Sequence, residues 1–265
     1  TIFRTGYKPN ELFQDIINMP RANISSVDLS FLLRQGGMLF PGQLREVSAA
    51  SELAMRAIAP GGENVARQVQ RAMMEVDNGV LWDKYVGRGG LFIHGVGRSG
   101  RLMGREEAFL SALAGKVFPW VRASERGYAT FLSKLRWDVM DDMVKRYEGT
   151  LGRELDPSNV DDLKVITDIS SYLNSMTGRG PMPTGPVWDT MSAVMNALLF
   201  SPRLFSSRLA APVQSVRNMR GLANTYPAAV GGDEAARSAY RQMSRTTAKQ
   251  MGTWFVTGSA ILTLA

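Results

Sequence analysis

The chain has no cysteine and a single histidine, His94, in 265 residues. Without thiols there is no disulfide and no Cys-ligated zinc, and the compartment stays open. A His-based triad or a multi-His metal centre would rest on that one imidazole. This weighs against an enzyme, although carboxylates and lysines can catalyse without histidine. No run of alternating apolar and polar residues is strong enough to claim a sheet. There is no internal repeat and no low-complexity tract. Residues 1–19 lack the basic-then-apolar layout of a signal peptide. Aromatic residues are sparse beyond Ser201, which does not suggest single-strand base stacking there.

What is present points to helices. The length allows a sizeable core in one large or two small domains. The 15 methionines suit adaptable helix packing. The net charge of +7 is unevenly placed: from Ser201 onward there are eight Lys/Arg against two acids, Asp233 and Glu234. Arg237, Arg241, Arg245 and Lys249 follow steps of four, which on a helix makes one stripe. The stripe is either a solvated face or an electrostatic contact with DNA or an acidic partner. With Arg203 and Arg208, these four are the candidate contact residues.

Residues 1–42 read as an irregular arm with short helices at 10–18 and 25–33. Residues 44–58 and 63–76 read as two amphipathic helices split by Pro60-Gly61-Gly62, an antiparallel pair. In the second, Val65, Val69, Ala72 and Val76 share one face. Residues 87–104 carry seven glycines and three arginines and read as a surface loop. Within it, Gly95-Val96-Gly97-Arg98-Ser99-Gly100 matches a dinucleotide fingerprint, but no strand precedes it and no acid is well placed. No cofactor is expected. The remaining reading of the loop is contact with a neighbouring chain or DNA.

Residues 105–115 read as a helix, and 120–148 as the longest one. Phe131, Leu135, Val139 and Met143 line one stripe of it; Trp137, Met140, Val144 and Tyr147 line another. Two stripes imply burial on two sides, as in the central helix of a bundle. Asp156-Pro157 is expected to cap the next helix, 160–176, with Leu163, Ile166, Ile169, Ser170 and Leu173 inward and Thr177-Gly178-Arg179-Gly180 as its stop. A proline-rich linker at 181–186 follows, then helices at 187–200, 202–218 and 233–265. The fold class is therefore all-α: an irregular multi-helix bundle with a Gly-rich irregular loop. The expected organisation is an arm at 1–42, a bundle at 43–180 and a basic, then apolar, helical region at 181–265. The uncharged run 251–265 ends the chain in mid-helix and the chain opens without Met, so it reads as part of a longer polypeptide.

Three constellations deserve a chemical reading. Asp138, Asp141 and Asp142 cluster near Glu148, and paired carboxylates can move protons or hold a metal. No second carboxylate motif completes such a site, so they read as a solvated face or as partners for Arg136, Lys145 and Arg146. Arg105, Glu106 and Glu107, with Arg122, Glu125 and Arg126, read as a structural polar network. Residues 251–265 are short of the roughly 20 a membrane span needs. They read as a buried helix or as a segment that touches a membrane.

One further segment resembles a family signature: Asn196-Ala-Leu-Leu-Phe200-Ser201-Pro202-Arg203-Leu204-Phe205-Ser206-Ser207-Arg208-Leu209. Other pieces agree in order. They are Asn18-Met19-Pro20-Arg21 with Ser26-Val27-Asp28-Leu29-Ser30-Phe31-Leu32-Leu33-Arg34-Gln35-Gly36, and Arg105-Glu106-Glu107-Ala108-Phe109. Then come Val121-Arg122-Ala123-Ser124-Glu125-Arg126-Gly127-Tyr128, Phe131-Leu132-Ser133-Lys134-Leu135-Arg136-Trp137-Asp138 and Leu173-Asn174-Ser175-Met176-Thr177-Gly178-Arg179-Gly180. Together they resemble the α-helical segment of the large polyvalent proteins of tailed phages, which travel in the virion and are injected with the genome. The resemblance implies a non-enzymatic internal virion (ejection) protein that acts in assembly and DNA delivery. Its partners would be other copies of itself, portal or ejection proteins, and DNA by weak nonspecific contact. The C-terminal apolar helix would meet a membrane during delivery. The location implied is the virion interior, then the host envelope or cytoplasm. The alternative is a helical spacer of a large injected antirestriction or host-takeover enzyme whose catalytic module lies outside these residues.

Overall fold

The computed structural model describes residues 39, 42–94 and 119–179 and, near the C-terminus, 234–235, 237–239, 241–242, 245–249 and 252–253. These residues are 82% helical with no strands, in keeping with the all-α expectation. The expected helices at 10–18, 25–33, 105–115, 187–200 and 202–218 lie outside the described residues, as do the Gly95–Gly100 motif and residues 254–265.

Helix α1, Leu44–Ile58, turns Val47, Ala50, Ala54 and Ala57 inward, at steps of three and four. Three of these four are alanine, so the helix can lie close to its neighbour. Helix α2, Gly62–Glu75, packs on α1 across the Ala59-Pro60-Gly61 turn. Gly61 there takes φ +78°, a conformation open to glycine. The face of α2 that turns inward differs from the expected one. Gly62 and Met73 are buried and Val65 and Val69 half-buried, whereas Ala72 and Val76 are exposed. The helix stops at Glu75, so Val76 lies beyond it.

The chain reverses through Asp77, Asn78 and Gly79, all at positive φ, before the short α3, Val80–Trp82. A π-helical turn, Asp83–Arg88, follows. Its half-exposed neighbour Trp82 stacks on Trp137 at 5.9 Å between centroids, and Tyr85 meets Trp137 edge-on at 5.4 Å. The expected surface loop therefore begins as ordered structure. Residues 87 and 88 belong to the π turn, and Leu91 and Ile93 are buried in the core. An apolar Leu-Phe-Ile triplet among the glycines overrides the loop-like composition by the area it can bury.

Helix α4, Pro119–Leu151, runs for 33 residues, about 50 Å. All eight residues of its two expected apolar stripes are buried. It contacts α1, α2 and α5, which makes it the central helix. At Gly127 the α1–α4 approach is so close that an added Cβ would lie 2.4 Å from Ile58 Cγ1 and 3.1 Å from the Ala54 carbonyl oxygen.

Helix α5, Val160–Met176, has the expected bounds and a different cap. Asn159 is the N-cap, its side chain accepting from the Asp161 and Asp162 amides. Asp156 instead accepts from Ser158 N and closes the preceding turn. Ile166, Ile169, Ser170 and Leu173 are buried as expected, but Leu163 is only half-buried, and Val165, Tyr172 and Met176 take the remaining core places. Gly178, at φ +90°, ends the helix. Every described position from 234 to 253 is helical. Ala239 and Thr247 of this C-terminal stretch are buried, and Thr150 Oγ1 donates to Gln242 Oε1 at 2.6 Å, tying the stretch to α4.

Candidate functional site

Two arrangements concentrate polar chemistry. The first is internal. After Gly90 the chain runs extended as Leu91-Phe92-Ile93-His94, without a sheet partner among the described residues. Buried backbone groups need partners, and here side chains of α4 and α5 supply them. Asn174 accepts from Phe92 N and donates to the Gly90 carbonyl, both at 3.0 Å. Ser133 Oγ accepts from His94 N at 3.1 Å. Arg136, fully buried, donates to the Phe92 carbonyl at 3.3 Å, to Thr177 Oγ1 at 2.7 Å and to the Thr177 carbonyl at 3.3 Å. The Arg179 guanidinium lies 3.2 Å from the Phe92 ring centroid, and that of Arg136 5.2 Å from it, both cation–π contacts. Phe92 and His94 meet edge-on at 6.4 Å.

Glu125 lies beside this centre. Burial pushes its carboxyl above the usual range, against the pull of His94, Arg122 and Arg126. Of the polar network expected from sequence, Arg122 is exposed, while Glu125 and Arg126 are half-buried. Arg126 does not pair with Glu125 but donates to the Ala57 carbonyl at 3.3 Å and reaches Glu63 at 3.7 Å, joining α4 to α1 and α2. Arg105, Glu106 and Glu107 lie outside the described residues.

The four carboxylates in the second half of α4, Asp138, Asp141, Asp142 and Glu148, are each engaged. Asp138 takes Lys134 at 2.5 and 2.7 Å. Asp141 takes Lys145 at 2.7 Å and the Tyr85 hydroxyl at 3.2 Å, and Asp142 takes Arg146 at 2.9 Å and Gln43 at 3.1 Å. Glu148 holds the buried Lys84 ammonium at 2.6 Å and accepts from Leu155 N. Lys145 and Arg146 are the partners expected from sequence. Arg136 is not among these bonds, since its inward position on the Leu132–Met140 stripe carries it to Thr177 and Phe92. No group of three or more acids and histidines among the described residues is placed to hold a metal.

The second arrangement is external. Arg237, Arg241, Arg245 and Lys249 are all exposed. They stand two residues out of step with the buried Ala239 and Thr247, which on a helix is about 200°, so they face away from the bundle. The stripe spans twelve residues, about 18 Å, with a cation roughly every 6 Å. The other exposed residues described between its ends are Ser238, Gln242 and Ala248: no acid, no aromatic ring, no large apolar group. None of the four cations makes an ion pair with a described residue. Thr247 seats the opposite face by a hydrogen bond with Tyr172, whose hydroxyl is shifted up by burial. Arg203 and Arg208, the other expected contacts, lie outside the described residues.

Sequence reasoning found the external stripe from its period. It missed the internal centre, although a signal was present: Arg136 is a lone cation between Leu132 and Met140 on an inward row. Arg136 and Thr177, from two segments of the phage resemblance, 131–138 and 173–180, meet at this centre. Among the described residues, no helix is long and apolar enough to cross a membrane. The chain matches no known protein-family model, no curated protein and no solved structure.

Proposed function

We propose that the protein is a non-enzymatic internal virion protein of a tailed phage, packaged in the capsid and delivered with the genome, and that it meets DNA through the basic stripe. The observation that carries the DNA contact is the exposed row Arg237, Arg241, Arg245 and Lys249, with no described acid between its ends. Four like charges on one helix face repel one another. A phosphate backbone offsets that repulsion, and a contact of this kind reads no sequence. The small residues Ser238 and Ala248 beside the cations let a duplex backbone come close. The assignment to a virion rests on the resemblance of the chain's segments to phage large polyvalent proteins. Its further partners would be copies of itself or portal and ejection proteins.

The DNA contact is tested by titrating duplex DNA across a salt series. Four phosphate contacts give a slope of roughly −3.6 in log K against log salt. Changing all four cations to Gln keeps a good helix former and should flatten that slope with the helix intact. Equal binding by both proteins at low salt would sink the DNA contact. The virion assignment is tested separately, by locating the chain in a map of the purified particle.

A further inference from the structure

We infer that the cleft between Gln43, α4 and the C-terminal helical stretch binds one ordered water, which bridges Gln43 to that stretch. Gln43 is 1% exposed and lies just ahead of α1. Its amide orientation is set by Asp142, which as a carboxylate only accepts, so Nε2 donates to Asp142 Oδ2 at 3.1 Å. Oε1 is thereby turned away from Asp142. It is buried and finds no hydrogen-bond partner among the described residues. A buried acceptor left in this state is costly, and native structures satisfy such groups with protein or with ordered water.

Gln43 lines a cavity of about 20 Å³ together with Asp142, Met143, Arg146, Tyr147, Ala239, Gln242 and Thr246. One water needs roughly 10–15 Å³ and two to four polar partners. The walls provide partners of both senses. Thr246 Oγ1 gives its proton to the Gln242 carbonyl at 3.0 Å and keeps lone pairs free to accept. Arg146 uses Nε on Asp142 Oδ1 at 2.9 Å, which leaves its terminal N–H groups to donate. A water there donates to Gln43 Oε1 and to Thr246, and accepts from Arg146. A metal ion fits poorly, since a guanidinium stands in the wall and both Asp142 oxygens are already engaged. The water joins the start of α1 to the stretch that carries the basic row, in parallel with the direct Thr150–Gln242 bond. This inference stands whether or not that row binds DNA.

A high-resolution crystal structure of the whole chain is the direct test. It should show one water about 2.7–3.0 Å from Gln43 Oε1, with Thr246 Oγ1 also in reach. An empty cleft, or an Oε1 bonded directly to protein, overturns the inference. An independent measurement uses Gln43→Met, Thr246→Val and the double variant. If one water bridges the two side chains, the double variant shifts the unfolding equilibrium constant by less than the product of the two single fold-changes. The lost Asp142 bond is common to both Gln43 variants and cancels in the cycle. Independent, multiplicative effects overturn the bridge.

Discussion

Arg136 and Thr177, forty-one residues apart, are bound twice: Nε donates to the Thr177 hydroxyl at 2.7 Å and Nη2 to its carbonyl at 3.3 Å. The pair fastens the middle of α4 to the residue that closes α5, and the same guanidinium holds the Phe92 carbonyl. Arg136→Ala should therefore lower stability by about 3–5 kcal/mol, because a large buried side chain is lost and buried acceptors are stripped of a charged donor. Arg136→Lys should lose less, since an ammonium reaches some of the same acceptors but lacks the planar fork. Urea unfolding with an unchanged slope is the measurement. An alanine variant within about 0.5 kcal/mol of the parent, the range of ordinary surface changes, would remove Arg136 from this role.

Asn174 is the second fastening of the buried Gly90–His94 segment. Its side chain makes two hydrogen bonds to that segment's backbone, so Asn174→Ala should cost about 2 kcal/mol at roughly 1 kcal/mol each. Hydrogen exchange at the Phe92 amide should quicken more than in the body of α5. Asn174→Asp keeps the acceptor for that amide and should preserve more of its protection. Equal exchange in the parent and the alanine variant would contradict the clamp.

Gly127 sets the distance between α1 and α4. Gly127→Val should destabilise by about 1–3 kcal/mol through overpacking against Ile58 and the Ala54 carbonyl. Because the nearest atoms belong to the Ile58 side chain, adding Ile58→Ala should restore part of the loss. A double variant no more stable than Gly127→Val would show that the backbone contact dominates. Thermal melts of the three variants decide this.

Two carboxylates should give opposite pH responses. Asp162 is buried, which raises its pKa, but bonds from Arg153 at 2.6 and 2.8 Å and from Asp156 N carry the balance below the usual value. Its stabilisation is present above the unfolded pKa of about 3.9 and is lost as the pH falls through the lower folded value. The deficit of Asp162→Asn should therefore shrink on acidification. Glu125 is raised by burial, so its charged form opposes folding at neutral pH. Glu125→Gln should melt higher than the parent at pH 7, with the gain vanishing below the unfolded pKa of about 4.3. Profiles that run parallel would refute one of the two assignments, and flat profiles would refute both.

The sequence alone determined the helices that carry a strong period. The bounds of α1 and α5, the two buried stripes of α4, the Gly178 stop and the alignment of Arg237, Arg241, Arg245 and Lys249 all follow from spacing, because a helix converts spacing directly into a face. Local chemistry was less decisive where two residues compete for one role, as Asp156 and Asn159 did for the cap of α5. Tertiary structure alone decided which face of α2 turns inward, since a short, weakly apolar helix takes its orientation from the neighbour it meets. It also decided that Leu91 and Ile93 leave a glycine-rich stretch for the core, and that Asn174, Ser133 and Arg136 satisfy the backbone carried in with them. Those bonds join residues 39 to 82 positions apart. No local period records them, because they exist only once α4 and α5 have closed around the segment they hold.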